Sequence, residues 1–253
     1  MKNALPIALL ACVACAQADD DGGPPVVPYR PSVSTPAQLS APGYLELEAG
    51  GLRASGDGAS RMSIPYTLKL AFTPDWGLRV GGDGWVRQHA SGRTDSGVGD
   101  TAVVLKRRFA ASDATAWGLE LGETLPTARS AIGIGHAATT VNGIFSSDFA
   151  PAWHTDINLN ETRYGAGSGQ PAAWQAGWAA AFSRTLTDAW GAVGELSGTH
   201  QAGTTDTAQL LAAASWNQSP AAVFDVGFAR GLNDATPHWQ AFAGVTVRLG
   251  KLF

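Results

Sequence analysis

Residues 239–253, WQAFAGVTVRLGKLF, decide the fold. Read back from the end in steps of two, one face carries Phe253, Lys251, Leu249, Val247, Val245, Ala243, Ala241 and Trp239. The other carries Leu252, Gly250, Arg248, Thr246, Gly244, Phe242 and Gln240. Side chains alternate between the faces of a strand, so one face suits lipid, the other suits a polar interior, and aromatics stand at both ends. A half-buried strand of a soluble sandwich shows the same period. The rest of the chain has to separate the two.

At the other end, Lys2 gives a positive start, residues 4–15 (ALPIALLACVAC) form a short apolar run, and Ala16-Gln17-Ala18 makes an A-x-A cleavage site before Asp19. This is the pattern of a cleaved secretory signal over residues 1–18. The run Leu9-Leu10-Ala11-Cys12 also permits a lipoprotein reading, with an unusually short apolar stretch before the cysteine. Cleavage after Ala18 removes both Cys12 and Cys15, which leaves no disulfide framework. Beyond the signal no apolar run approaches the roughly 18 residues a spanning helix needs, so a membrane location requires a barrel.

Composition points the same way. Charged residues are 15% of the chain, against roughly 25% in soluble domains. The 31 glycines and nine tryptophans suit many turns and a lipid-facing belt. A formal charge of −4, with no basic run interleaved with aromatics, argues against a nucleic-acid partner.

Residues 19–42, DDDGGPPVVPYRPSVSTPAQLSAP, are acidic, then proline-rich, and have no apolar period, which predicts an extended periplasmic tail or a small plug. From residue 43 to 253 the sequence divides into about a dozen alternating segments. They span 44–52, 61–72, 78–88, 100–109, 116–125, 142–149, 153–164, 173–183, 189–197, 207–216, 222–229 and 239–252. Five connections are short (73–77, 110–115, 150–152, 184–188 and 217–221), and those between them are longer and rich in Gly, Ser, Thr and Asp (89–99, 126–141, 165–171, 198–206 and 230–238). The connection 53–60 is of middling length and decides little. An up-and-down barrel with both termini in the periplasm segregates its loops in this way, whereas a soluble sandwich has no reason to. The expected fold is therefore an all-β transmembrane antiparallel barrel in the bacterial outer membrane, its partners being outer-membrane lipid and a small solute.

The strand parity places Glu46, Glu48, Lys69, Arg79, Asp83, Arg87, Lys106, Arg108, Glu120, Asp148, His154, Asp156, Glu195, Asp225 and Arg248 toward the interior. Of these, Lys69, Arg79, Asp83, Arg87, Lys106, Arg108, Glu120, Asp156, Glu195 and Arg248 are the candidate pore-lining residues. Unpaired buried charges cost several kcal/mol each, so the interior must either pair them or hold water. Parity leaves both a narrow pore and a salt-bridged, non-conducting interior open, because it does not set cross-strand register.

No enzyme, metal or cofactor is expected. His89, His136, His200 and His238 fall in predicted outer loops and His154 in a strand, without HxxxH or HExxH spacing. No G-x-S-x-G elbow occurs, and 97–100 (GVGD) and 133–136 (GIGH) lack the strand-glycines-helix setting of a phosphate loop.

The segment 97–109, GVGDTAVVLKRRF, followed by 119–128, LELGETLPTA, is similar to the G-x-GD strand and L-P-T-G segment of the meta-pathway phenol-degradation family of outer-membrane proteins. The final strand AFAGVTVRLG, 241–250, also resembles that family, with Ala128 in place of the glycine after the threonine and Arg107 in place of a common aromatic. The resemblance implies an outer-membrane barrel that passes small, often aromatic, molecules. The amphipathic last strand ending on Phe253 resembles the assembly signal of outer-membrane barrels, which implies the barrel-assembly machinery as a partner.

Overall fold

The computed structural model describes residues 22–129, 131–167 and 169–253; the expected signal, residues 1–18, lies outside the described residues. Thirteen strands follow one another: β1 (Tyr44–Gly56), β2 (Ala59–Ala71), β3 (Trp76–Ala90), β4 (Arg93–Gly97), β5 (Thr101–Ala110), β6 (Thr115–Leu125), β7 (Ala138–Ala150), β8 (Trp153–Tyr164), β9 (Trp174–Thr185), β10 (Trp190–Gln201), β11 (Thr207–Ser219), β12 (Ala222–Gly231) and β13 (Trp239–Lys251). Apart from β4, each strand pairs antiparallel with the next along the chain, β3 pairing past β4 with β5, and β1 pairs with β13, which closes a twelve-stranded barrel to which β4 is an addition. Closure gives each of the twelve barrel strands backbone partners on both sides, while β4 pairs with β3 alone. No helix of the described residues is long and apolar enough to cross a membrane; the strands are what would cross it.

Two tight turns lie where longer connections were expected. Asp57 and Gly58, both at positive φ (42° and 75°), join β1 to β2 directly. Ser91 and Gly92 (50° and 75°) fold residues 89–97 into a hairpin with Ala90 opposite Arg93. Positive φ at both central residues is the two-residue hairpin geometry whose twist matches the flanking strands. The stretch 89–99, expected as a loop, is thus mostly strand, and His89 and His200 lie in β3 and β10 rather than in loops.

One barrel end carries the turns after β2, β5, β7, β9 and β11 together with Gly22 and Phe253, the end that faces the periplasm in barrels of the usual outer-membrane topology. Around it runs a ring of outward aromatics: Trp117 on Phe145 (4.8 Å between ring centroids), Phe149 with Trp153 and Phe182 (6.3 Å each), and Trp190 stacked on Trp216 (6.3 Å), which in turn stacks on Phe224 (5.6 Å). Arg107 spans the rings of Trp76 and Phe109, 5.0 and 5.2 Å from their centroids. Above the ring, Leu105, Leu119, Leu121, Val141, Leu159, Leu196, Leu210 and Val226 are exposed on the outer wall, as a lipid-facing band requires.

At the outer end, Asp100 joins the two segments singled out in the sequence. Its Oδ1 accepts from the Ala128 amide (2.9 Å) and its Oδ2 from the Ile134 amide (2.7 Å). Thr127 Oγ1 lies 3.1 Å from Thr101 Oγ1. A Cβ on Gly133 would come within 2.4 Å of the Asp100 carboxylate, so the loop is shaped to the carboxylate. Each charge-assisted bond is worth roughly 1.5–3 kcal/mol. Asp100→Ala is expected to leave the barrel folded and to make loop 126–137 the preferred site of limited proteolysis. An unchanged cleavage pattern would show that the clasp does not hold the loop.

Candidate functional site

The lumen is occupied by residues 22–42. The segment rises from the rim that carries the β11–β12 turn, where Val26 donates to the Pro220 carbonyl (2.9 Å), turns at residues 33–35, and descends to Pro42 beside Ala71. The barrel wall holds it chiefly by its backbone. Glu46 accepts from the Val27 amide (3.3 Å), Glu48 from that of Tyr29 (2.7 Å), and Ser146 from that of Ala37 (2.7 Å). Glu195 accepts from Val33 and Ser34 amides (3.1 and 2.8 Å) and from the Ser34 hydroxyl (2.8 Å). Asn158 both accepts from the Thr35 amide (2.9 Å) and donates to the Thr35 carbonyl (3.0 Å). Lys69, Lys106 and Arg248 donate to the carbonyls of Val27, Pro36 and Pro24.

Tyr29 is the centre of this arrangement. Lys106 and Lys69 lie 4.2 and 4.4 Å from its ring centroid, and the Arg79 guanidinium lies 5.2 Å away. A ring face surrounded by cations gains cation–π attraction, which is larger where water is excluded. Burial pushes the Tyr29 hydroxyl well above the ordinary phenol range, so it stays protonated. It donates to the Gln38 carbonyl (2.7 Å) and accepts from Lys106 (3.1 Å). Arg30, next in the chain, forms a two-pronged pair with Asp225 (3.0 Å for each bond).

The wall is also carved for the segment. Gly50 and Gly244 face each other across β1 and β13, and a Cβ on either would come within 3 Å of the Arg30 side chain. On the opposite side, a Cβ on Gly118 would meet the Ala37 Cα at 3.4 Å, and one on Gly77 would meet Leu39 at 2.8 Å. Ala37 closes a small apolar contact with Ala116 and Ile144.

Register, which parity alone leaves open, pairs the wall charges. Glu46 stands opposite Lys69, and Lys106 opposite Glu120. Lys69 reaches Glu46 at 3.0 Å and Glu48 at 2.6 Å, while Glu120 takes Arg79 at 2.8 Å and Lys106 at 3.4 Å. Asp156 accepts from Ser146 (2.5 Å) and lies 3.1 Å from His154, which also meets Asp148 at 2.6 Å. Nearer the outer end, Asp83 pairs with Arg61 (2.7 Å). Arg248 lies by Pro24 and over the Tyr44 ring. Arg108 Nε is buried without a hydrogen-bond partner.

Arg87 is placed differently from the sequence expectation. A bulge shifts the register of β3 against β2 between Ile64 opposite Trp85 and Pro65 opposite Asp83, so parity reverses beyond Gly84. Val86 is fully buried, while Arg87 is exposed beside Met62, which is 41% exposed on the outer wall. Arg87 is therefore not a lumen residue. The partners that parity does not supply are those of residues 22–42, above all Tyr29 and Arg30.

The segment divides the lumen in two. Below it, toward the short turns, lies a cavity of about 440 Å³ that includes His154 and Asp156. Above it lies an outer vestibule of about 600 Å³ with Val33 and Thr35 at its floor.

No family model matches the chain, and no curated protein matches it. Solved structures do. A KdgM porin superposes with a TM-score of 0.58 at 8% identity over 81% of this chain and 99% of its own. The same porin in complex with disordered oligogalacturonate gives 0.59, and a NanC porin gives 0.57, both at 8% identity and the same coverage. These likenesses are of fold: the chain is an outer-membrane-type β-barrel.

Ser34→Cys tests how firmly the segment is seated, since Cys12 and Cys15 are the chain's only cysteines. It should resist a water-soluble maleimide in the folded protein. Adding Arg30→Ala strands the buried Asp225, a loss worth about 3 kcal/mol or more, and labelling should accelerate by at least about tenfold. Equal rates would mean that the Arg30–Asp225 pair does not hold the segment in place.

Proposed function

We propose that the protein is an outer-membrane channel for small hydrophilic solutes, held closed by its own N-terminal segment. The observation that carries the reading is the blind outer vestibule, which ends on residues 33–35 of a segment joined to the barrel through Pro42. A purely structural barrel has no need of a vestibule this large. The fold likeness to porins, one of them a complex with oligogalacturonate, supports the same class. In this reading residues 1–18 are removed on export, 19–42 form the plug, 43–253 form the barrel, and the strand ending at Phe253 engages the assembly machinery. The protein acts by passage rather than by catalysis. Lys69, Arg79, Lys106, Glu120, Glu195 and Arg248 then line the pore only when the plug has left. The resemblance to the phenol-degradation family raises aromatic solutes as the other class.

A second reading has its own support: the paired network of Lys69, Lys106, Glu46, Glu48 and Glu120 suits a barrel that never conducts. Planar-bilayer recording separates them. The mature full chain should give rare, small steps, and a variant lacking residues 22–38 should give larger and steadier ones, with heat-modifiable gel mobility confirming that it is folded. Tyr29→Ala with Arg30→Ala provides a milder variant that keeps the segment. Silence from both folded variants would leave the non-conducting barrel standing.

A further inference from the structure

The two halves of the lumen differ in chemistry. Around the plug the wall is charged, but the vestibule above it is walled by uncharged hydrogen-bonding side chains, among them Thr140, Asn158, Asn160, Thr199, Gln209 and Gln240. A water-filled vestibule accepts charged side chains without a desolvation cost, so burial does not impose this neutrality. The charges at its margins are closed on each other, Arg79 with Glu120 at the floor and Arg61 with Asp83 toward the rim. Glu123, which also borders the vestibule, stands on the outward parity of β6 between the exposed Leu121 and Leu125 and accepts from Thr139 Oγ1 (2.7 Å), so its carboxylate is turned away from the space.

Aromatic surface is also withdrawn. Phe242, on the lumen side of β13, is 9% exposed and sealed among Leu211 and Ala229. Trp178 stands opposite Leu159, a residue 66% exposed on the lipid-facing wall, and so turns outward. What remains is donors and acceptors arranged in chains. Gln240 donates to Gln209 (2.5 Å), and Gln209 donates to Ser197 (3.2 Å). Asn160 lies flat along the wall over Gly177, where a Cβ would come within 2.6 Å of its Oδ1. The wall is thereby kept clear of bulk.

From this we infer that the outer vestibule is a binding site for uncharged, hydroxyl-rich solutes of disaccharide to trisaccharide size. Amides and hydroxyls each both donate and accept, which is what successive hydroxyl groups require of a wall. The volume of about 600 Å³ falls within the usual range of small-molecule sites. The inference rests on the channel reading for its purpose, but binding can be measured in the closed protein without any passage.

The test is titration of the detergent-solubilised mature protein with sucrose, digalacturonate and benzoate, followed by calorimetry or saturation-transfer NMR. Sucrose should bind in preference to both. Asn160→Leu and Gln209→Leu should each weaken it by about tenfold, the effect of one lost hydrogen-bonding group, in proteins whose heat-modifiable mobility is unchanged. Tighter binding of benzoate or digalacturonate, absence of sucrose binding, or sucrose binding indifferent to both substitutions would overturn the assignment. Liposome swelling keeps the two readings apart. Sucrose binding by a protein that never permeabilises liposomes, even without residues 22–38, would end the channel reading and leave this one. Swelling without sucrose binding would do the reverse.

Discussion

Charge inside a barrel is the constraint from which the rest of this structure follows. Lys106 is fully buried, and Lys69, Glu46 and Glu195 are 1–2% exposed. Side chains of this kind are almost never buried without partners. A twelve-stranded wall lies between the eight strands that side chains fill and the sixteen or more that leave a channel, and cross-strand pairs such as Glu46–Lys69 satisfy only part of each group's bonding capacity. Residues 22–42 supply the remainder. Backbone amides of Val27, Tyr29, Val33 and Ser34 go to carboxylates, and carbonyls of Pro24, Val27 and Pro36 go to cations.

The proline content of the segment has a physical reason in this setting. Each proline removes an N–H that would otherwise need an acceptor in a closed lumen, and fixes φ at a value that resists strand pairing. Pro25, Pro28, Pro31 and Pro36 thus reduce the number of donors to be satisfied and keep the segment from joining the sheet. Of the donors that remain, the amides of Val27, Tyr29, Val33, Ser34, Thr35 and Ala37 each meet an acceptor on the wall.

The barrel was legible because its signal is periodic. Residues 239–253 alternate cleanly, and β13 keeps Gln240, Phe242, Gly244, Thr246 and Arg248 on the inner face throughout. Arg87 shows where that logic stops: a single bulge near Gly84 turns the distal half of β3 over, and a bulge leaves no mark in hydrophobic alternation. Ser91-Gly92 was obscure for a related reason, since a serine at positive φ is a weak turn signal compared with Asn or Asp. Residues 22–42 carry no period at all, so their composition could say that they are extended but not where they lie. Their contacts, such as Arg30 to Asp225, cross most of the chain's length, and only the closed barrel brings the partners together. The candidate site was therefore half legible, with its wall charges visible and the groups that meet them hidden.

A plug held by charges differs in kind from one held by apolar packing. When an apolar plug leaves, its surface and its socket both meet water at a cost proportional to area. When residues 22–42 leave, Glu48, Glu195, Lys69 and Lys106 exchange backbone partners for water, and hydration repays much of what is lost, each bond to a charged group being worth roughly 1.5–3 kcal/mol net of its alternative in water. The apolar part of the contact is confined to a few side chains, Val26, the Tyr29 ring and Ala37, the last packed on Ala116 and Ile144. The same wall that specifies one seated position for the segment therefore sets a cost on leaving it that water following into the lumen can partly repay, contact by contact. Cavities on both sides, about 440 and 600 Å³, place room for that water directly against the segment, so the closed arrangement has the energetics of a reversible stopper rather than of a core.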